Sequence, residues 1–338
     1  MPSTSLLSRL RPDPYILILL STVVIASVLP ATGSVSDVFD TLTQVAIALL
    51  FFFYGARLST QETLEGLRNW RLHLTVFAST FALFPVLGLL IGLLPAEVLS
   101  PQLYTGVLYL CLLPSTVQSS IAFTSTARGN VAAAICSASL SSLIGIFLTP
   151  LLVWLTMGTG GSGMSADSIM DLVLQLLLPF LLGQVARRWI GTWAARHSTA
   201  LGRYDRGTIV LIVYTAFSEG VAQGIWHKVA PMQLAWLVVI EVVLLALVLA
   251  ATHLVSRALG FSHQDQSAIV FCGSKKSLAS GLPMANVIFA GSGIGLIVLP
   301  VMLFHQMQLI VCAMIARRRG EAAAPAESTA AAPEPASA

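Results

Sequence analysis

Apolar runs of roughly 20 residues, the length a helix needs to cross a hydrocarbon core, follow one another along almost the whole of this sequence. Ten can be placed, near Pro14–Leu29, Val38–Ala56, Leu72–Leu94, Leu103–Ala127, Val131–Met157, Ser168–Ala186, Gly207–Trp226, Met232–Leu259, Gln266–Ala290 and Ile294–Ala316. With 56% apolar residues, 10% charged residues and a mean hydropathy of +0.84, the chain has too little polar surface for a soluble globule. Backbone groups in a bilayer must be satisfied within the protein, so such runs predict helices. The expected fold class is an all-α polytopic membrane protein.

Ten spans place both termini on one side, and the cations say which. Of the 18 Lys and Arg residues, Lys275 and Lys276 fall inside the ninth span and Lys228 lies on the side opposite the termini. All the others, from Arg9 and Arg11 to Arg317, Arg318 and Arg319, lie on the terminal side. Positive charge collects on cytoplasmic loops, so both termini are expected in the cytoplasm of a cell whose inner or plasma membrane holds the protein. The net charge of +3 thus reports topology and gives no reason to invoke nucleic acid.

Cys111, Cys136, Cys272 and Cys312 all fall within spans and read as small buried side chains rather than as a disulfide framework. The first span, preceded by Arg9 and Arg11 and followed by Pro30-Ala-Thr-Gly33, imitates a signal peptide. It is expected to be retained, because cleavage would invert the charge asymmetry. The Ala-, Pro- and Glu-rich tail, 320–338, has too few apolar residues to pack and is expected to be disordered.

The flexible stretch Gly158-Thr-Gly-Gly-Ser-Gly-Met-Ser165, within an external linker at 158–167, divides the spans five and five. An odd number per half gives residues 1–157 and 168–319 opposite topology. Each half then carries one interruption in a corresponding span. The fourth is broken by Cys111-Leu-Leu-Pro-Ser-Thr-Val-Gln-Ser-Ser120, and the ninth by Cys272-Gly-Ser-Lys-Lys-Ser-Leu-Ala-Ser-Gly-Leu-Pro283. Both breaks fall about 10 residues into their spans, which at 1.5 Å per residue puts them near the midplane. Non-helical backbone at that depth survives only where protein or a watery cavity satisfies it, and paired breaks in two halves point to a transporter's binding site. Ser115, Thr116, Gln118, Ser119 and Ser120 at the first break, and Ser274, Lys275, Lys276, Ser277 and Ser280 at the second, are side chains that lipid would not solvate.

The motifs Pro114-Ser-Thr-Val-Gln-Ser-Ser120, Ala127-Arg-Gly-Asn-Val-Ala132, Leu148-Thr-Pro150 and Cys272-Gly-Ser-Lys-Lys-Ser-Leu-Ala-Ser280 resemble those of the bile acid:sodium symporter superfamily, in particular its divergent cotransporter-like branch. The likeness extends over nearly all ten spans and excludes the tail. It implies two inverted five-helix repeats, a panel of spans 1, 2, 6 and 7, and a core of the other six in which discontinuous helices 4 and 9 cross. Substrate is expected in the crevice between panel and core.

The resemblance also implies sodium ligands, and here the chain departs from the pattern. Ser119 keeps a hydroxyl and Ser120 stands where relatives carry Asn; these are the best retained metal-ligand positions. Ala134 and Ala138 stand at a Ser and a Thr, Phe271 at a Glu, and Lys275 at a Gln. Sodium wants oxygen ligands and negative charge, so these replacements argue against the usual sites. A lysine ammonium, Lys275 or Lys276, is expected to stand in for a bound cation, drawn by unwound carbonyls. Sodium, proton or no ion could then couple transport, and no other cofactor is expected.

Intramembrane charges pair or face a cavity, which makes Glu219 in the seventh span and Glu241 in the eighth candidate partners for the lysines or for substrate. His305, beside Gln306 and Gln308 in the tenth span, is a candidate proton relay or hydrogen-bond partner; Arg57 reads as an anchor that snorkels to the cytoplasmic face. Two cations among hydroxyls suit a small organic anion, and the resemblance independently suggests amphipathic or carboxylated anions. No enzymatic constellation stands out: neither a His-Glu-x-x-His zinc pair nor a serine with a plausible histidine base is evident, and helix packing and cavity lining account better for the serines of the fourth span. The expected function is secondary-active transport of a small organic anion by alternating access, with the lipid bilayer as surroundings and no protein partner deducible. The other reading is a regulatory or sensor protein on the same fold, which the divergent branch links to calcium homeostasis.

Overall fold

A computed structural model describes residues 14–57, 69–157, 166–222, 224, 230–289 and 294–330, with residues 14, 16, 166–176 and 324–330 described as backbone only. The external linker through Ser165, Arg9, Arg11, Arg68 and Lys228 lie outside the described residues. Among the described residues the chain is all-helical. In order the helices are α1 (Pro14–Val28), α2 (Ser34–Arg57), α3 (Trp70–Ile91), α4 (Pro101–Leu112), α5 (Gln118–Thr126), α6 (Val131–Met157) and α7 (Ala166–Arg196). They continue with α8 (Ser198–Ala222), α9 (Pro231–Ala258), α10 (His263–Gly273), α11 (Leu278–Ile288) and α12 (Ile294–Ala330). Five of them, α2, α3, α6, α9 and α12, are individually long and apolar enough to cross a membrane.

Local chemistry sets the ends. Pro101 and Pro231 open α4 and α9 at a position where the missing N–H costs nothing. Ser262 caps α10, its hydroxyl accepting from the Asp265 N–H. Asn130 caps α6 by accepting from the Ala133 N–H, while its amide donates to Asp265 at 2.8 Å and its own N–H donates to the Gln264 carbonyl. The start of α6 is thereby tied to the start of α10. Inside α3, Ser79–Leu83 form one π-helical turn: the Phe84 N–H reaches back to Ser79, and Pro85 has no N–H to give. The Thr80 carbonyl is thus left for another donor.

Helix α12 runs beyond Arg319 to Ala330, where the sequence suggested an unstructured tail from Gly320; residues 331–338 lie outside the description. Likewise α7 continues to Arg196 and α8 begins at Ser198, so both outrun their apolar segments. Charged side chains at helix ends lower local hydropathy without breaking a helix.

Helices α1, α2, α7 and α8 pack on one another, and α3 to α6 pack with α9 to α12 around the two breaks. The tightest crossing joins α2 to α7. Gly55 lies on the Phe180 carbonyl and Gly183 on the Phe52 carbonyl, so close that a Cβ at either glycine would overlap a backbone oxygen. Small residues permit such approach where water contributes no drive for helix association. All four cysteines are free and buried.

Candidate functional site

The breaks lie between α4 and α5 and between α10 and α11, and they touch through backbone: the Ser277 N–H donates to the Pro114 carbonyl at 2.9 Å. A helix that stops inside a membrane leaves its last carbonyls without donors. Here each orphan receives one. At the end of α10, Ser274 donates to Val270, Ser120 to Phe271, Ser115 to Cys272 and Ser79 to Gly273. At the end of α4, Thr149 donates to Leu112, while the ammonium of Lys276 donates to Cys111 and Leu113. Its third proton goes to Thr80, the carbonyl freed by the π-helical turn. Gln308 on α12 accepts from the Lys276 N–H and donates to the Lys276 carbonyl, which holds the unwound backbone itself.

Beside this crossing lies a cavity of about 450 Å³. Helices α1, α2, α7 and α8 line it with the apolar Leu19, Phe51, Phe180 and Ile209; the elements around the two breaks carry the hydroxyls of Thr116, Ser119, Ser139, Ser142, Ser277 and Ser280 together with Gln118, His305 and Gln306. The Thr116 and Ser119 hydroxyls are hydrogen-bonded at 2.7 Å, and Gln308 Nε2 lies 2.9 Å from His305 Nδ1. A third region is charged. Arg57 of α2 grips Asp205 of α8 through two bonds of 2.9 and 3.0 Å, and Arg206 lies over the Tyr15 ring at 5.4 Å. Asp205 occupies Arg57, whereas Arg206 is exposed and has no ion pair among the described residues.

Of the residues singled out by sequence, Thr116, Gln118, Ser119, Ser277, Ser280, His305 and Gln306 line this cavity. Ser115, Ser120 and Ser274 are buried elsewhere as carbonyl caps. Neither lysine presents its charge to the cavity. Lys276 is fully engaged by carbonyls, and the ammonium of Lys275 sits 4.0 Å from the Phe123 ring centroid and 5.9 Å from that of Phe271, without a hydrogen-bond partner among the described residues. Glu241 is buried with neither carboxylate oxygen hydrogen-bonded among the described residues, so it does not pair with Lys275 or Lys276; three carbonyls reach Lys276 instead. Glu219 is half-buried and is not among the cavity's lining residues.

Sequence reasoning missed Arg57, Asp205 and Arg206 as one charged end of the cavity. The available signal was a lone carboxylate within Arg203-Tyr-Asp-Arg206, set among arginines that topology alone seemed to explain. Arg57 does not simply snorkel: its guanidinium is spent on Asp205. Replacing Asp205 by Asn should free that guanidinium and weaken the α2–α8 contact by about 1–3 kcal/mol, the scale of a charged hydrogen bond. Melting of the purified variant, with and without the compensating Arg57→Gln change, measures the coupling.

A family model described as the SBF-like CPA transporter family matches residues 13–321. The Pseudomonas aeruginosa protein PA2026 is 54% identical over 321 residues, 94% of this chain and 96% of its own. An Escherichia coli protein named "Putative symporter YfeH" is 54% identical over 306 residues, 90% of this chain and 92% of its own. The Xenopus laevis protein named sodium/bile acid cotransporter 7-B is 29% identical over 312 residues, 90% of this chain and 91% of its own.

Proposed function

The chain belongs to the SBF-like CPA transporter family of the bile acid:sodium symporter superfamily and is an integral membrane protein, and on that premise we propose that it carries a small organic anion by alternating access through the 450 Å³ cavity. One observation carries this reading: a single cavity offers an apolar wall, a hydroxyl wall and an arginine, Arg206, that has no ion pair among the described residues. Such a surface suits an amphipathic anion, whose apolar body meets Leu19, Phe51, Phe180 and Ile209 while Arg206 takes its charged group. The name of the Xenopus relative, with its amphipathic bile acid, supports the class but not the compound.

Taking α4 with α5 and α10 with α11 as one span each gives ten spans in two inverted repeats of five, with both termini cytoplasmic by the arginine asymmetry. Helices α1, α2, α7 and α8 are then the panel, and the charged end of the cavity faces the cytoplasm. The crossing breaks hold the hydroxyl wall in place. Rocking of the panel against them would expose that wall to either side in turn.

Counterflow in proteoliposomes tests this, with labelled short dicarboxylates, aromatic carboxylates and steroid acids as probes. At least one anion should exchange saturably, and Arg206→Gln should raise its half-saturation concentration about tenfold or more, the equivalent of one lost charged hydrogen bond. Saturable binding without exchange for every probe would sink the transport reading and favour a sensor on the same fold.

A further inference from the structure

The surroundings of Lys276 are those of a cation site, and the cation is covalently attached. Its Nζ has three backbone carbonyls around it, Thr80 at 2.8 Å, Cys111 at 2.8 Å and Leu113 at 2.7 Å. The Phe84 ring completes the enclosure, with its centroid 4.1 Å away. These lengths are those of charge-assisted hydrogen bonds, and three acceptors match the three donors of an ammonium. Both the side chain and its backbone are fixed: the residue is 1% exposed, and Gln308 brackets its N–H and C=O.

Nothing about this cage is tailored to a lysine alone. Thr80 is freed by the π-helical turn and Pro85, and the other two carbonyls by the end of α4. They come from two different helices and would converge on any compact cation. Bare ammonium and potassium are close in radius to the lysine head group, whereas sodium is smaller and would leave the oxygens too far apart.

We propose that Lys276 is a tethered cation in a monovalent-cation cage, so that the junction of α3, α4 and the second break is held by an ammonium that cannot diffuse away. A free cation of ammonium or potassium size takes this cage only when the lysine head group is removed. A diffusible metal cation, if one couples transport, therefore binds elsewhere.

The test is thermal unfolding of purified, detergent-solubilised full-length protein in choline, sodium, potassium, ammonium and methylammonium chloride at one ionic strength. Stability is read without substrate or flux, so the result is independent of whether the protein transports. Lys276→Ala should melt below the unmodified protein in choline, and ammonium or potassium should restore at least half of the loss, saturably, with sodium less effective. Lys276→Met, whose side chain fills the cage, should not be restored. A variant that melts with the unmodified protein, or one equally depressed in every salt, overturns the proposal.

Should Lys276→Ala fail to fold, the unmodified protein still decides. Its three lysines are Lys228, Lys275 and Lys276. In protein labelled with ¹⁵N-lysine and held at mildly acidic pH, one ammonium signal that persists in Lys275→Met should exchange slowly with water. Absence of any protected ammonium signal would refute the resident cation.

Discussion

Gly183→Val is expected to lose about 3 kcal/mol or more of stability, and Gly55→Val a comparable amount. Overpacking a well-filled interior typically costs 1–3 kcal/mol because side chains can shift aside. Here the obstacle is backbone on both sides: a Cβ at Gly183 meets the Phe52 carbonyl, and one at Gly55 meets the Phe180 carbonyl. Relief requires moving α2 away from α7 along their whole crossing, which also separates aromatic contacts such as Phe53 with Trp193. The measurement is melting in detergent followed by size-exclusion profile. Gly207→Ala is the control: nothing lies within 4 Å of its new methyl group, and in the interior of α8 it should gain about 0.5–1 kcal/mol. If Gly183→Val melted with the unmodified protein, the close α2–α7 approach would be wrong.

Gln308→Leu should be nearly as damaging, at about 3 kcal/mol, by a different route. Leucine fits the volume, so little packing is lost. What is lost is the pair of bonds to the Lys276 N–H and C=O, and each buried backbone group left unpaired costs about 1–3 kcal/mol. Gln308→Glu separates the two halves of this clamp, since a carboxylate still accepts from the N–H but no longer donates to the carbonyl. Its melting temperature should fall between the other two. A Leu variant as stable as the parent would show that the clamp contributes nothing.

A third substitution should act in the opposite direction. Glu241 is 0% exposed and neither of its oxygens is hydrogen-bonded among the described residues, so Glu241→Met should stabilise the protein by about 1–3 kcal/mol. Thermal unfolding checks it, and a loss of stability would reveal a partner for the carboxylate.

How much of this was legible in the sequence depends on what each feature rests on. Helix α6 was expected over Val131–Met157 and is found there, because an unbroken apolar run begins at a capping Asn. The start of α8 at Ser198 was hidden: arginines and Asp205 interrupt hydropathy but not helix. That same stretch carries the charged end of the cavity, which is why its residues were overlooked. The positions of both breaks followed from Pro114, Gly273 and clustered hydroxyls. The division of labour among those hydroxyls did not. Ser119 lines the cavity while its neighbour Ser120 caps Phe271, and one position along a short helix decides between them. Likewise the partners of Lys276 are backbone carbonyls, to which residue identity is silent except at Pro85.

The capping of the two breaks has a consequence for how the protein is made. Three of the four carbonyls ending α10 are served by Ser79, Ser115 and Ser120, residues synthesised long before them. Cys111 and Leu113 at the end of α4, by contrast, wait for Lys276. Until the ribosome reaches that codon, the newborn first half carries bare acceptors inside the bilayer. Helix α4 must therefore be sheltered, by the insertion machinery or by an interim arrangement of helices. A chain truncated before Lys276 would then be a natural target for membrane quality control, however apolar its helices.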